Sequence, residues 1–271
     1  MNTGYESKEL TFCVLISCMH QQKDIIQRSN VQTNVVVVNQ CDENRTEEWD
    51  FQNKQGQTRH AKFICTTERG LSRSRNMAIK NCVFDICQIC DDDELLPDNL
   101  EDIVLSQYKQ TPQASLITFA LEWSGKSFKY PVKVMKVGFS QILRTSSLQI
   151  TFCRKELLGK GICFDEMMGS GTGNGGGEEN KFLLECYRAG MKILYEPVVI
   201  ATIKPGSSKW FKGYTDKYFR DKGWVFRRTL GNIVGLAYIS VFPLIHLKSF
   251  KRDNTLQRMY KNLILGYFEK R

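Results

Sequence analysis

Apolar residues in the first hundred positions come in short unbroken runs, separated by stretches with helical spacing. Residues 11–17 and 34–39 are such runs, free of charge, which suits strands buried on both faces of a parallel sheet. Between them, residues 22–30 have the spacing of a helix. The alternation repeats, with strands at 61–65 and 85–90 around a helix at 72–82. A further helix opens at Leu96-Pro97-Asp98, where Pro97 suits a first turn, and runs toward Tyr108. The pattern then changes. Residues 115–122 and 129–137 read as strands with no helix between them, so a mixed or antiparallel section follows the parallel half. A helix over 178–189 ends at Gly190, a strand follows at 193–195, and from Tyr214 the chain is mainly helical. The expectation is an α/β fold, a Rossmann-like three-layer sandwich with a mixed central sheet over residues 1–201, followed by a helical extension over 202–271.

Composition adds a compartment and a partner. The ten cysteines sit mostly inside apolar runs and lack the paired spacing of a zinc cluster, so they read as reduced, buried thiols of a cytosolic protein. Residues 1–9 are polar, without the basic-then-apolar pattern of a secretory signal, which places the expected body on the cytoplasmic side. Residues 1–201 carry 23 Lys/Arg against 25 Asp/Glu, whereas 202–271 carry 15 against 4, so a near-neutral body precedes a strongly basic tail. Such a tail attracts either nucleic acid or an anionic membrane. Its apolar stretch from Leu230 to Leu247, flanked by Arg227 and Arg228 before and Lys248, Lys251 and Arg252 after, favours the membrane. Asn232, Pro243 and His246 make that stretch a poor spanning helix, so it reads as an interfacial helix at the inner face of the membrane, or else as a helix packed on the body. No nucleic acid is expected.

Three segments carry chemistry. In Ile89-Cys-Asp-Asp-Asp-Glu-Leu-Leu-Pro-Asp98, the carboxylates of Asp91, Asp92 and Asp93 follow a buried strand at the edge of the sheet where open α/β sheets bind ligands. Charges so close repel one another unless a cation compensates, which points to Mn²⁺ or Mg²⁺ bridging a diphosphate. In Glu68-Arg-Gly-Leu-Ser-Arg-Ser-Arg-Asn76, Arg73, Arg75 and Asn76 occupy the first turns of a helix, where backbone N–H groups favour an anion. In Gly175-Gly-Gly-Glu-Glu179, glycines deliver Glu178 and Glu179 to a helix start and leave room for a moving loop. Trp123 and Trp210 offer aromatic faces of the kind that pack against ligand rings.

Taken in order, these segments resemble the family 2 glycosyltransferases of the GT-A fold, over roughly residues 10–200. The Val38-Asn39-Gln40-Cys41-Asp42 stretch and the basic tail are similar to bacterial capsule or surface-polysaccharide enzymes. The resemblance implies a nucleotide-diphosphate sugar as donor and a glycan or lipid-linked glycan hydroxyl as acceptor. Metal would sit on two of Asp91, Asp92 and Asp93; the donor would be held by Asn39, Asp42, Arg75, Asn76, Asp91 and Asp92. The catalytic base maps onto Glu179, beside Glu178, and one displacement would invert the anomeric centre. The sequence departs from the family in three places. The first acid of the Asp-x-Asp motif falls on Cys90, the base is Glu where Asp is usual, and Asn39, Gln40 and Asp42 occupy the stretch that reads the nucleobase. A sugar nucleotidyltransferase would carry a glycine-rich phosphate loop after the first strand, where this chain has Ser17-Cys-Met-His-Gln-Gln22. A noncatalytic membrane-associated partner would not need both acid groups.

Overall fold

The computed structural model describes residues 9–124, 129–204, 213–250 and 254–271. The chain forms two compact units. One comprises Met1–Glu68, Ser74–Cys163 and Cys186–Pro205; the other comprises Arg69–Arg73, Phe164–Glu185 and Gly206–Arg271.

The first unit holds, in chain order, β1 (Phe12–Met19), α1 (Ile25–Arg28), β2 (Asn34–Gln40), β3 (Arg45–Gln52), β4 (Thr58–Thr66), α2 (Leu71–Asn81, most of which belongs here), β5 (Ile86–Asp91), β6 (Glu94–Leu95), α3 (Leu100–Gln110), β7 (Leu116–Trp123), β8 (Met135–Lys136), α4 (Phe139–Ile142), β9 (Ile150–Cys153), α5 (Arg154–Gly159) and β10 (Ile193–Ile203). Among the described residues the strands form one sheet in the order β3-β4-β2-β1-β5-β9-β7-β10-β6, with β8 also paired to β10. Strands β4, β2, β1 and β5 are mutually parallel, as are β7 and β10. Antiparallel β3, β6, β8 and β9 make the sheet mixed.

Burial explains the parallel core. Phe12, Val14 and Ile16 of β1 are fully buried against Ile25 and Ile26 of α1 and Leu100, Val104 and Tyr108 of α3. Each such side chain contributes about 1.5–3 kcal/mol relative to leaving it in water. On the opposite face the thiol of Cys13 meets Cys82, just past α2, and Ser74 of α2 donates to the Val38 carbonyl at 3.4 Å. Helices therefore cover both faces, as the alternating pattern predicts.

The structure revises several elements. The helix read over 22–30 shrinks to α1. The helix read from Leu96 starts at Leu100, because the Leu96 N–H donates to the Ser29 carbonyl and Glu94–Leu95 pairs with β10. Of 129–137 only Met135–Lys136 is a strand, since Val132 and Val134 project into solvent and have no face to bury. Three strands were not read at all, among them β6, which is only two residues long. β3 is rich in charge and exposes alternate residues as an edge strand does, and β9 is only four residues long. The strand read at 193–195 extends to Ile203 as β10, with register shifts between Glu196 and Val199 that accommodate Pro197.

The second unit contains most of α6 (Glu178–Arg188), then α7 (Asp216–Leu230), α8 (Asn232–Ile245), α9 (Leu247–Phe250) and α10 (Leu256–Phe268). Hydroxyls cap two of them: Thr215 accepts from the Tyr218 N–H at 3.2 Å and Thr255 from the Arg258 N–H at 3.3 Å. Gly231, with φ +81°, ends α7 and turns the chain into α8. Helices α7 and α10 approach backbone to backbone at Gly223 and Gly266. Helix α8 buries Gly235, Ile239, Phe242 and Pro243, and exposes Ile233, Val234, Leu236, Leu244 and Ile245. Among the described residues no helix is long and apolar enough to cross a membrane.

Candidate active site

Parallel pairing brings Met19, Gln40, Thr66 and Asp91, the last residues of β1, β2, β4 and β5, to one edge of the first unit's sheet. There the Asp91 carboxylate accepts from Nη2 of Arg75 at 3.1 and 3.4 Å, and the same nitrogen donates to Ser147 Oγ at 2.9 Å. Arg75, on α2, is 1% exposed. Its guanidinium thus braces the Asp91 carboxylate from inside the protein. Asn76 is buried beside it on α2. The Asp91 N–H donates to Glu94 Oε1 at 2.6 Å. Glu94 is fully buried, and burial followed by the charge of Asp91 pushes its carboxyl well above the usual range. Asp93 is raised as well, by burial and then by Asp92.

Gln21, in the loop after β1, ties this edge together. Its side chain donates to Asp92 Oδ2 at 3.1 Å, while its backbone N–H and carbonyl pair with the Asn39 side chain, both at 2.9 Å. Asn39 is 3% exposed and so acts as a clamp on that loop. Asp42 is exposed in the turn after β2. Trp123, half-buried at the end of β7, donates from Nε1 to the Tyr130 hydroxyl at 3.1 Å. Trp210 lies outside the described residues.

The acid run fits a hard divalent cation. All three side chains offer oxygen, and the upward shift of Asp93, from burial first and then from the charge of Asp92, marks a partly buried edge where a cation would be favourable. Among the described residues the three aspartates do not converge as a three-ligand cage. A cation carried on a diphosphate needs only one or two protein carboxylates, the remaining positions going to phosphate and water.

Glu178 and Glu179 belong to the second unit. The glycine-rich segment before them is a hydrogen-bonded turn rather than slack chain: Gly169 N–H donates to the Gly175 carbonyl at 3.2 Å and Ser72 Oγ to the Met168 carbonyl at 2.8 Å. Gly169 holds φ +95°, which strains any other residue, and a Cβ there would also be crowded, 3.2 Å from the Glu178 carboxyl carbon and 3.3 Å from Ser72 Oγ. Glu178 is buried at 6% exposure and accepts from the Gly177 N–H at 3.0 Å, so it braces the turn. Glu179 is half-buried. On α7, burial lowers the Lys222 ammonium, opposed by the pull of Glu179 and then of Glu178 and Asp221.

Sequence reasoning grouped Asp91, Asp92, Asp93 and Arg75, and these do share one edge. It missed Glu94, Ser147, Gln21 and Lys222. Glu94 had a signal, being the fourth acid of the same run; the others acquire roles only through partners distant in sequence.

An acid-tipped parallel core within a mixed sheet covered by helices defines an α/β sandwich of the GT-A type. Comparison with solved structures agrees. S. aureus TarS 1-349 matches with TM-score 0.63 and 12% identity over 95% of this chain and 80% of that one. The same fragment in complex with UDP-GlcNAc gives 0.63 and 12%, over 94% and 80%. The longer S. aureus TarS chain gives 0.61 and 13%, with 94% of this chain covering 48% of that one. No protein-family model and no curated protein matches the sequence. At this identity the likeness establishes the fold.

Proposed function

We propose that the chain is an inverting, metal-dependent glycosyltransferase that moves a sugar from a nucleotide-diphosphate donor to a hydroxyl of a glycan or lipid-linked glycan in cell-surface polysaccharide synthesis. The observation that carries this reading is the run Asp91–Asp93 at the carboxyl edge of β5, in a fold shared with a protein captured with UDP-GlcNAc. Mn²⁺ or Mg²⁺ bound by these carboxylates would offset the charge that develops on the leaving diphosphate. Arg75 positions Asp91, and Gln21 positions Asp92, so both acids are held before a ligand arrives. Glu179 takes the proton of the acceptor hydroxyl as that oxygen attacks the anomeric carbon, and Lys222 balances its charge between turnovers. Glu178 keeps the preceding turn closed. Trp123 and Trp210 are assigned to the acceptor side, and Asp42 and Asn76 to the donor side.

The second unit supports a place at the inner face of a cytoplasmic membrane. Ile233, Leu236, Leu244 and Ile245 of α8 and Ile264, Leu265 and Phe268 of α10 are exposed apolar residues within a segment that carries most of the chain's excess positive charge. That pairing of apolar surface with Lys and Arg complements an anionic lipid surface.

The test is to incubate purified protein with Mn²⁺ or Mg²⁺ and a panel of nucleotide sugars, following release of nucleoside diphosphate and the anomeric configuration of the product by NMR. Release with one donor, lost in Asp93→Ala and reduced on the order of 10²–10⁴-fold in Glu179→Gln, is the expected result. A product with retained configuration, or full activity in Glu179→Gln, would refute the mechanism.

A further inference from the structure

The same edge of the first unit carries sulfur that the transferase reading leaves unused. Parallel pairing puts Cys18 of β1, Asn39 of β2 and Cys65 of β4 in register, and Cys41 follows Asn39 two residues on, toward the same face. Cys18, Cys41 and Cys65 accordingly share one buried cluster. Beyond β2 the chain turns back into β3, and the turn carries Glu43. The sulfurs of Cys41 and Cys65 and a carboxylate oxygen of Glu43 lie within 4.8 Å of one another. They line a pocket of about 420 Å³ whose wall also includes His20, Asn39 and Arg45.

We propose that Cys41, Cys65 and Glu43 bind a divalent cation of the zinc type, leaving one coordination position to an atom from the pocket. Two thiolates and a carboxylate are a zinc donor set, and sulfur discriminates against Mg²⁺ and Mn²⁺, so this site and the oxygen site at Asp91–Asp93 select different metals. Charge balances. The three ligands bring three negative charges once the thiols lose their protons to the incoming ion, and the cation together with Arg45, which pairs with Glu43 at 3.1 Å, supplies three positive ones; Glu47, which also pairs with Arg45, is matched by Lys23. Cys41 and Cys65 are 24 positions apart, in a spacing that resembles no zinc motif, so only the strand register brings them together. The site does not depend on the donor reading of this edge.

The experiment uses reduced, metal-free protein in a Cys163→Ser background, which removes an exposed competing thiol. Cd²⁺ is titrated and the sulfur-to-metal charge-transfer band in the near ultraviolet is recorded. The expected result is a band that saturates at a single equivalent, is displaced by Zn²⁺ but not by Mg²⁺, and is abolished in Cys41→Ser and in Cys65→Ser. Glu43 is exposed, so Glu43→Gln leaves the fold intact by circular dichroism and should weaken binding by about tenfold or more. Absence of the band, its persistence in both serine variants, or unchanged affinity in Glu43→Gln would overturn the site. The titration needs neither donor nor acceptor, so its failure and a failure of the transferase assay are separate results.

Discussion

Replacing Gly266 by alanine should unlock the crossing of α7 and α10. A Cβ at Gly266 would lie 1.7 Å from the Arg220 carbonyl oxygen, 2.6 Å from its carbon and 2.9 Å from its Cα. Non-bonded carbons rest at about 3.5–4.0 Å, and every atom met is backbone, so no side chain can swing aside; the helices must part by on the order of 1.5 Å. Overpacking of this kind costs about 1–3 kcal/mol, and a backbone collision belongs at the upper end. Alanine returns about 1 kcal/mol of helix propensity, leaving a net loss of about 2 kcal/mol. Thermal and urea unfolding of the purified variants would measure it. Gly159, at the end of α5, meets nothing within 4 Å of its Cβ, so Gly159→Ala should be neutral or mildly stabilising and serves as control. Gly223→Ala, whose Cβ would lie 2.0 Å from the Leu263 carbonyl oxygen, should behave like Gly266→Ala. The double variant should cost less than the sum, because the first substitution already separates the helices. A Gly266→Ala protein as stable as the parent would refute the close crossing.

Three further outcomes follow from the charges and the exposed surface. Arg75→Met should destabilise by about 2 kcal/mol, below the range for a fully buried pair because the Asp91 side chain is 29% exposed, and adding Asp91→Asn should restore most of the loss in a double-mutant cycle. Asp165→Asn should destabilise near neutral pH and converge with the parent in acid. Burial raises the Asp165 carboxyl, but Arg228, at 2.8 Å, and Lys181 outweigh it and hold the folded-state pKa below the usual value, so its contribution is present above the unfolded pKa and is lost as pH falls through the folded one. Leu244→Glu with Phe268→Glu, both at exposed positions, should abolish co-sedimentation with vesicles containing anionic lipid while leaving donor hydrolysis intact; unchanged sedimentation would remove the membrane from the proposal.

The parallel core was legible because a strand buried on both faces is apolar at most positions, so residues 11–17, 34–39 and 85–90 announced themselves without reference to anything distant. β3 was not, because an edge strand needs only one buried face: Trp49 and Phe51 pack on the core while Glu48 and Asp50 face water, and the charges masked the alternation. The acid run was read correctly as a cluster at a strand end, yet its internal division of labour was invisible. Glu94 became a buried acceptor for the Asp91 N–H only because the chain turns sharply into β6.

The same limit explains why Asn39 and Arg75 changed character between sequence and structure. Each was read as a ligand-facing group from its position at a strand end or helix start, where polar side chains commonly meet substrate. In the folded chain, both are nearly inaccessible and spend their hydrogen bonds on other protein groups, Asn39 on the Gln21 backbone and Arg75 on Asp91 and Ser147. A buried polar group is tolerable only when it is paired, so these pairings have a structural cost if broken and fix the loop after β1 and the first acid in place. On the donor reading proposed above, specificity rests on groups that the clamps position, Gln21 and Asp92 among them. Substitutions at Asn39 should accordingly lower stability and affinity together, whereas those at Asp92 should lower affinity alone.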